Sequence, residues 1–230
     1  MTATTQATRV GVITGLIKEA DCLRPRRGGR APAMVFAAAG QPALAAQAAE
    51  QMLAEGASGL ISFGIAGGLD PSLGPGVAIV AERVLDGDRR DFACDEAWVA
   101  RLMLAEGAHD SGPILGTDRP VMTVEDKRRL HRRTGALAVD MESHAVAEVA
   151  DRAGVPFVAI RAIGDPASRA IPRAALAGLG PDGRTRALPV LAALLRRPGD
   201  FRAIWRLAQD TNRALAALRR LGPQIGTLAE

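Results

Sequence analysis

Short apolar runs that stop at a glycine or an aspartate alternate with helix-like stretches along most of this chain, and that alternation restricts the fold more than any other feature. Residues 9–14 (RVGVIT) are the first such run and end at Gly15. Residues 33–38 are the second, and residues 42–55 then read as an alanine-rich helix, opened by Pro42 and closed before Gly56. Proline suits a first helical turn, where its missing N–H breaks no intrahelical bond. Residues 59–64 (GLISFG) form another buried strand, and the glycines and prolines of 65–76 (IAGGLDPSLGPG) read as a loop. A strand at 77–84, a helix at 95–106, a short strand at 113–115 and a charged helix at 124–133 follow. Next come a strand at 136–139, a helix at 141–153, and a strand at 155–163 that runs into Gly164, Asp165 and Pro166. Such runs suit strands buried on both faces, and their alternation with helices predicts an α/β fold whose ligands gather at strand C-terminal ends. Asp165 stands at such an end.

At 230 residues, 48% hydrophobic and 23% charged, the chain can bury a full core as one domain without disulfide or metal staples. Cys22 and Cys94 show no CxxC spacing, so neither a disulfide framework nor a zinc site is expected, and the compartment reads as reducing. Residues 1–8 are polar, unlike a signal peptide, and no apolar run approaches the ~18 residues of a spanning helix. A cytoplasmic location follows as the expectation. The net charge of +4 invites nucleic acid as a partner, but aromatics are 3% and tyrosine is absent, so stacking platforms are scarce. The basicity is also local: from Ile171 onward ten arginines face four acidic residues, a net +6 against −2 for the rest.

Four motifs fall at the ends of predicted elements: residues 11–19 (GVITGLIKE), 64–68 (GIAGG), 139–142 (VDME) and 155–165 (VPFVAIRAIGD). In this order and spacing the chain resembles the purine nucleoside phosphorylases and methylthioadenosine/S-adenosylhomocysteine nucleosidases. The resemblance implies a three-layer α/β/α sandwich with a mixed central sheet (core about 9–169, helical C-terminal extension about 170–230), a homo-oligomer, and cleavage of a purine N-glycosidic bond. It implies no metal or organic cofactor, with phosphate as the alternative co-substrate to water.

Breaking a ribose–purine bond through an oxocarbenium-like transition state requires help for the departing base, a grip on the ribose, and a nucleophile. The resemblance assigns the acid to Asp165, donating to purine N7. General acid help is worth about 10²–10⁴-fold, or roughly 3–5 kcal/mol of barrier. Position alone favours reading Asp165 as a turn and helix-capping residue, and the accompanying motifs reverse that. Glu142 matches the glutamate that accepts the ribose 2′ and 3′ hydroxyls, with Met141 packed on the sugar, although a glutamate early in a helix also suits the helix dipole. His144 reads as structural. Glu19 matches the glutamate that activates water in the nucleosidases. Phosphorylases tend to carry an arginine at that corner and another where this chain has Ser62, which favours water unless Arg24, Arg26, Arg27 or Arg161 supplies the charge. Arg161 is set down as a ligand contact, with a structural ion pair as the competing role.

Two positions depart from the family pattern. Ile65 replaces the usual serine beside Gly64 and Ala66 and offers backbone only. In the base-lining stretch 115–121 (LGTDRPV), Pro120 precedes Val121 where adenine-specific nucleosidases place a stacking phenylalanine. The tail, with its segment 182–198 (DGRTRALPVLAALLRRP) and helices expected at 187–197 and 201–221, resembles the hopanoid-associated phosphorylase branch. That likeness implies adenosylhopane as substrate and peripheral membrane contact through basic helices. A soluble nucleosidase or phosphorylase for smaller nucleosides is the alternative, and a non-catalytic nucleoside-binding protein is the alternative of another class.

Overall fold

A computed structural model of the chain describes residues 9–24, 34–87, 90–172, 175, 183–184, 198–226 and 228. The expected helix at 187–197 lies outside them. The strands are β1 (Val10–Thr14), β2 (Met34–Ala37), β3 (Gly59–Gly68), β4 (Ala78–Asp86), β5 (Arg90–Ala93), β6 (Asp110–Gly116), β7 (Ala138–Asp140) and β8 (Phe157–Asp165). The helices are α1 (Ile17–Ala20), α2 (Pro42–Ala54), α3 (Glu96–Met103), α4 (Val124–Thr134), α5 (Ser143–Ala153) and α6 (Phe201–Ile225). All eight strands join one mixed sheet, so the architecture is the α/β sandwich with a C-terminal helix that the sequence implies.

Sheet order places the chemistry. β2, β1, β3 and β8 run parallel side by side, and β8 then pairs antiparallel with β4. β4 continues through β6 to β7, and β7 returns antiparallel to the far end of β3. Strands β3, β8, β4, β6 and β7 thus form a closed circuit. Every residue of β8 is buried, as expected of a central apolar run covered on both faces, and α5 and α6 both pack against it.

The structure corrects the reading of 65–76 as loop from its start. β3 continues through GIAGG because Gly67 and Gly68 pair with Val139 and Ala138 of β7, while the preceding residues stay paired with β8. The register slips between Ala66 and Gly67, opposite Asp165, a local irregularity of the kind that re-aims side chains near sites. β5 lies where no strand was predicted; its four residues form an edge hairpin partner of β4, with only Phe92 buried. Helix α6 runs four residues beyond the predicted end, through Pro223, because Leu221 and Ile225 on either side are buried. Proline there costs only one backbone bond of the last turn. Cys22 and Cys94 are free and buried, burial raising their thiols to about 11 and about 12.

The carboxyl-terminal half of α6 docks through Ala214, Leu215, Ala217, Leu218, Leu221 and Ile225. Gly222 allows the closest approach: a Cβ there would lie 2.1 Å from the Cys22 carbonyl oxygen. Replacing a helix-interior glycine by alanine ordinarily gains about 1 kcal/mol. Gly222→Ala should instead cost about 1–3 kcal/mol, as overpacking does. The check is a lowered urea midpoint with an unchanged slope, against Gly199→Ala, where a Cβ meets nothing within 4 Å and stability should hold.

Candidate active site

The turn after β1 folds Glu19 back over its own helix start. Glu19 Oε2 accepts the backbone N–H groups of Gly15 and Leu16, each at 2.8 Å, and Oε1 accepts the N–H of Ile65 at 2.9 Å. Ile65 therefore contributes backbone, as expected, and its side chain packs where Gly164 leaves room. Gly64 is required by the same contact: a Cβ on it would sit 2.7 Å from Glu19 Oε2. Burial raises the Glu19 pKa above its ordinary value, opposed by the three N–H groups and the Arg161 charge.

Behind this corner, Asp140 and Arg161 form an ion pair, each side chain about 2% exposed. Arg161 also donates to the Ser62 hydroxyl at 2.6 Å and the Ile160 carbonyl at 3.0 Å. Asp140 in turn accepts the Ser143 hydroxyl and the N–H groups of Glu142 (3.2 Å) and Ser143 (3.0 Å), capping α5 from its entry. Although burial opposes it, Arg161 and these donors hold the Asp140 carboxyl below its usual range. Glu142, fixed by that cap, is 7% exposed and projects beside Gly15. A Cβ on Gly15 would lie 2.7 Å from Glu142 Oε1 and 3.3 Å from Glu19 Oε2, so the two carboxyls crowd one glycine. Burial, then Asp140, raises Glu142 to about 8.

Asp165 enters the site beside Gly67, farther along β3 than Gly64. A Cβ on Gly67 would stand 3.2 Å from its Oδ2, and its Oδ2 takes an ion pair from Lys127 of α4, a side chain with no exposed surface. Burial raises Asp165 to about 6, Lys127 working against it.

These groups line one cavity of about 270 Å³. Glu19, Ile65, Ala66, Pro120, Val121, Met141, Glu142 and Asp165 are on its wall, and Asp140, Leu16, Ile171, Ala175, Leu207 and Thr211 are among the other residues that line it. Gly64 lies directly behind Glu19. Arg161 is not on the wall: its guanidinium is spent on Asp140, Ser62 and Ile160, so of its two readings the structure favours the structural one. Arg24 pairs with Asp21 at the surface, Arg26 and Arg27 fall outside the described residues, and no described arginine lines the cavity. His144 bonds Asp118 at 3.2 Å and is not on the wall. The sequence reading missed Lys127, Asp140, Leu207 and Thr211. Lys127 hides in a run of charges, although its spacing to Leu130 and Thr134 places all three on one helical face.

The Glu142 value gives a stability test. Folded Glu142 keeps its proton up to about 8, whereas an unfolded glutamate loses it near 4.5, so its contribution falls as pH rises through that window. Glu142→Gln should therefore raise Tm at pH 8, by about 2–4 °C per kcal/mol recovered, with little gain at pH 4, as thermal melts at both values would read.

Comparison with known proteins finds one matching family model, a more distant relative and similar folds. The family model described as the phosphorylase superfamily matches residues 11–196. A 5′-methylthioadenosine/S-adenosylhomocysteine nucleosidase of Mycobacterium bovis is 28% identical, the match covering 57% of this chain and 69% of that protein. The nucleosidase of the same name from Neisseria meningitidis, in complex with methylthio-immucillin-A, superimposes with a TM-score of 0.71 at 20% identity, covering 96% of this chain and 99% of that one. Native futalosine hydrolase of Helicobacter pylori gives 0.65 at 17% identity, covering 94% and 97%. With most of its length matched by that model, this chain belongs to the phosphorylase superfamily.

Proposed function

We propose that this chain is an N-ribosyl-cleaving enzyme that releases the base of a purine nucleoside to water, with Asp165 as acid, Glu19 as base and Glu142 as ribose anchor. The observation that carries the choice of water is the occupied cradle of N–H groups. The donors of Gly15, Leu16 and Ile65, a ready seat for an anion, are already taken by the Glu19 carboxylate. A phosphate dianion entering there would meet a carboxylate and no lining arginine among the described residues.

Lone-pair counting supports Glu19 as base. Oε2 accepts two N–H groups and Oε1 only one, so Oε1 retains a lone pair for a water proton. In the reaction the Asp165 O–H bond breaks and an N–H bond forms at purine N7. The C1′–N9 electron pair leaves with the purine, and water oxygen bonds C1′ as its proton passes to Glu19. Asp165 must be protonated to act, so kcat/KM should fall as pH rises through about 6.

The finer reading is adenosylhopane, an adenine nucleoside with a polycyclic lipid on ribose C5′, in hopanoid biosynthesis. Two features support it. Leu16, Ile171, Ala175 and Leu207 give the cavity an apolar side. The helix that supplies Leu207 also exposes Phe201 (63%) and Trp205 (58%) beside Arg202 and Arg206, a combination suited to an anionic membrane surface. No helix among the described residues is long and apolar enough to cross a membrane, so contact would be peripheral. A homo-oligomer in the cytoplasm is part of the same reading. The second reading, a methylthioadenosine/S-adenosylhomocysteine nucleosidase, is supported by the similarity to the nucleosidases of that name.

Adenine release from a 5′-lipidated adenosine and from methylthioadenosine, each with and without phosphate, tests both. The expected result is adenine and the free 5-substituted ribose without phosphate, faster from the lipidated substrate; formation of the 5-substituted ribose 1-phosphate only with phosphate would replace water as the nucleophile. Asp165→Asn should lower kcat by about 10²-fold or more, and an unchanged rate would remove it from the reaction.

A further inference from the structure

Helix α4 has the sequence VEDKRRLHRRT, with Lys127 its one buried residue. A helix packed only for stability buries apolar side chains; this one turns its fully buried position over to a lysine. The ammonium group is saturated by three acceptors: Asp165 Oδ2, the Pro166 carbonyl at 3.0 Å and the Arg169 carbonyl at 3.0 Å. All its N–H donors are used, so Lys127 has none left for substrate. It grips the acid and the carbonyls of Pro166 and Arg169, tying the end of β8, where Asp165 stands, to the turn that follows.

We propose that Lys127 is the positioning residue of the acid: it orients Asp165 toward the departing base and takes up the carboxylate charge when the Asp165 proton is transferred. This rests on Asp165 acting as the acid. After the O–H bond breaks, the electron pair stays on a buried carboxylate, which in a dry site is costly unless a cation already stands against it. Lys127 is in place beforehand, so no solvent needs to rearrange.

The other charges facing Asp165 come from α6 and the turn after β8. Asp210, 2% exposed, raises the Asp165 value and Arg169 lowers it; Arg169 is itself ion-paired to Asp210, which also binds Arg213 at 3.1 Å. With Asp210 and Arg169 opposing each other, Lys127 is the strongest charge that pulls the acid down.

The test is the pH profile of adenine release by wild type, Lys127→Met, Lys127→Arg, Asp165→Asn and the double variant Lys127→Met/Asp165→Asn. Lys127→Met should move the alkaline limb of kcat/KM upward by about one pH unit or more and lower kcat by about 10-fold or more, with Lys127→Arg restoring part of both. In the Asp165→Asn background the same substitution should cost clearly less than it costs in the wild type, because the two residues act through one contact. A folded Lys127→Met enzyme with the wild-type alkaline limb would overturn the proposal, as would a rate loss in the double variant as large as in the wild-type background. If Asp165→Asn is fully active, the assignment of the acid itself fails, a separate outcome. Should Lys127→Met not fold, nitrogen NMR of ¹⁵N-lysine-labelled wild type reads the same contact. The Lys127 Nζ resonance should shift as Asp165 titrates and on Asp165→Asn, and a resonance that ignores both overturns the proposal.

Discussion

The pairing of Asp140 with Arg161 is the contact on which the site is built. Both side chains are withdrawn from solvent, yet together they join β7 to β8, reach β3 through Ser62, and cap α5 at its entry. Removing one member of a buried pair leaves an uncompensated charge, a cost of about 3–5 kcal/mol. The pair also has an electrostatic reach. Glu19 and Glu142 feel the Arg161 charge without touching the cavity side of it, so one guanidinium offsets a group of carboxyls that could not otherwise lie so close together.

That crowding explains the glycines. Gly15, Gly64 and Gly67 stand where a single added carbon would run into Glu142, Glu19 or Asp165. Their role is space as much as backbone freedom: the carboxyls reach the cavity only because no side chain occupies the intervening volume. The raised acids then differ in what opposes burial, three backbone N–H groups for Glu19 and a lysine for Asp165. Environment thus separates groups of the same chemistry into different tasks.

Much of this was legible in the sequence. Apolar runs ending at glycine marked β1, β8 and the first six residues of β3, and the motif residues Glu19, Glu142, Met141 and Asp165 converge on one cavity. Three features were hidden for separate reasons. The Gly-rich stretch reads as loop because glycine is a poor strand former, while its pairing to β7 and β8 is long-range and leaves no local trace. Arg161 has the same sequence signature whether it faces ligand or an internal carboxylate. Lys127 is masked by the arginines around it, since composition signals a solvated helix and only the spacing to Leu130 distinguishes the inward face.

The closed circuit of β3, β8, β4, β6 and β7 bears on how ligands come and go. A strand paired on both sides cannot swing aside without breaking two ladders at once, so the walls carrying Asp165 and the Gly-rich run are the costliest part of the cavity to move. Traffic through the cavity then falls to its non-sheet boundary, where Ile171, Ala175 and the amino-terminal half of α6 stand. Slow amide exchange in the ring strands beside fast exchange along that half-helix would be the signature of a rigid anvil served by a yielding door.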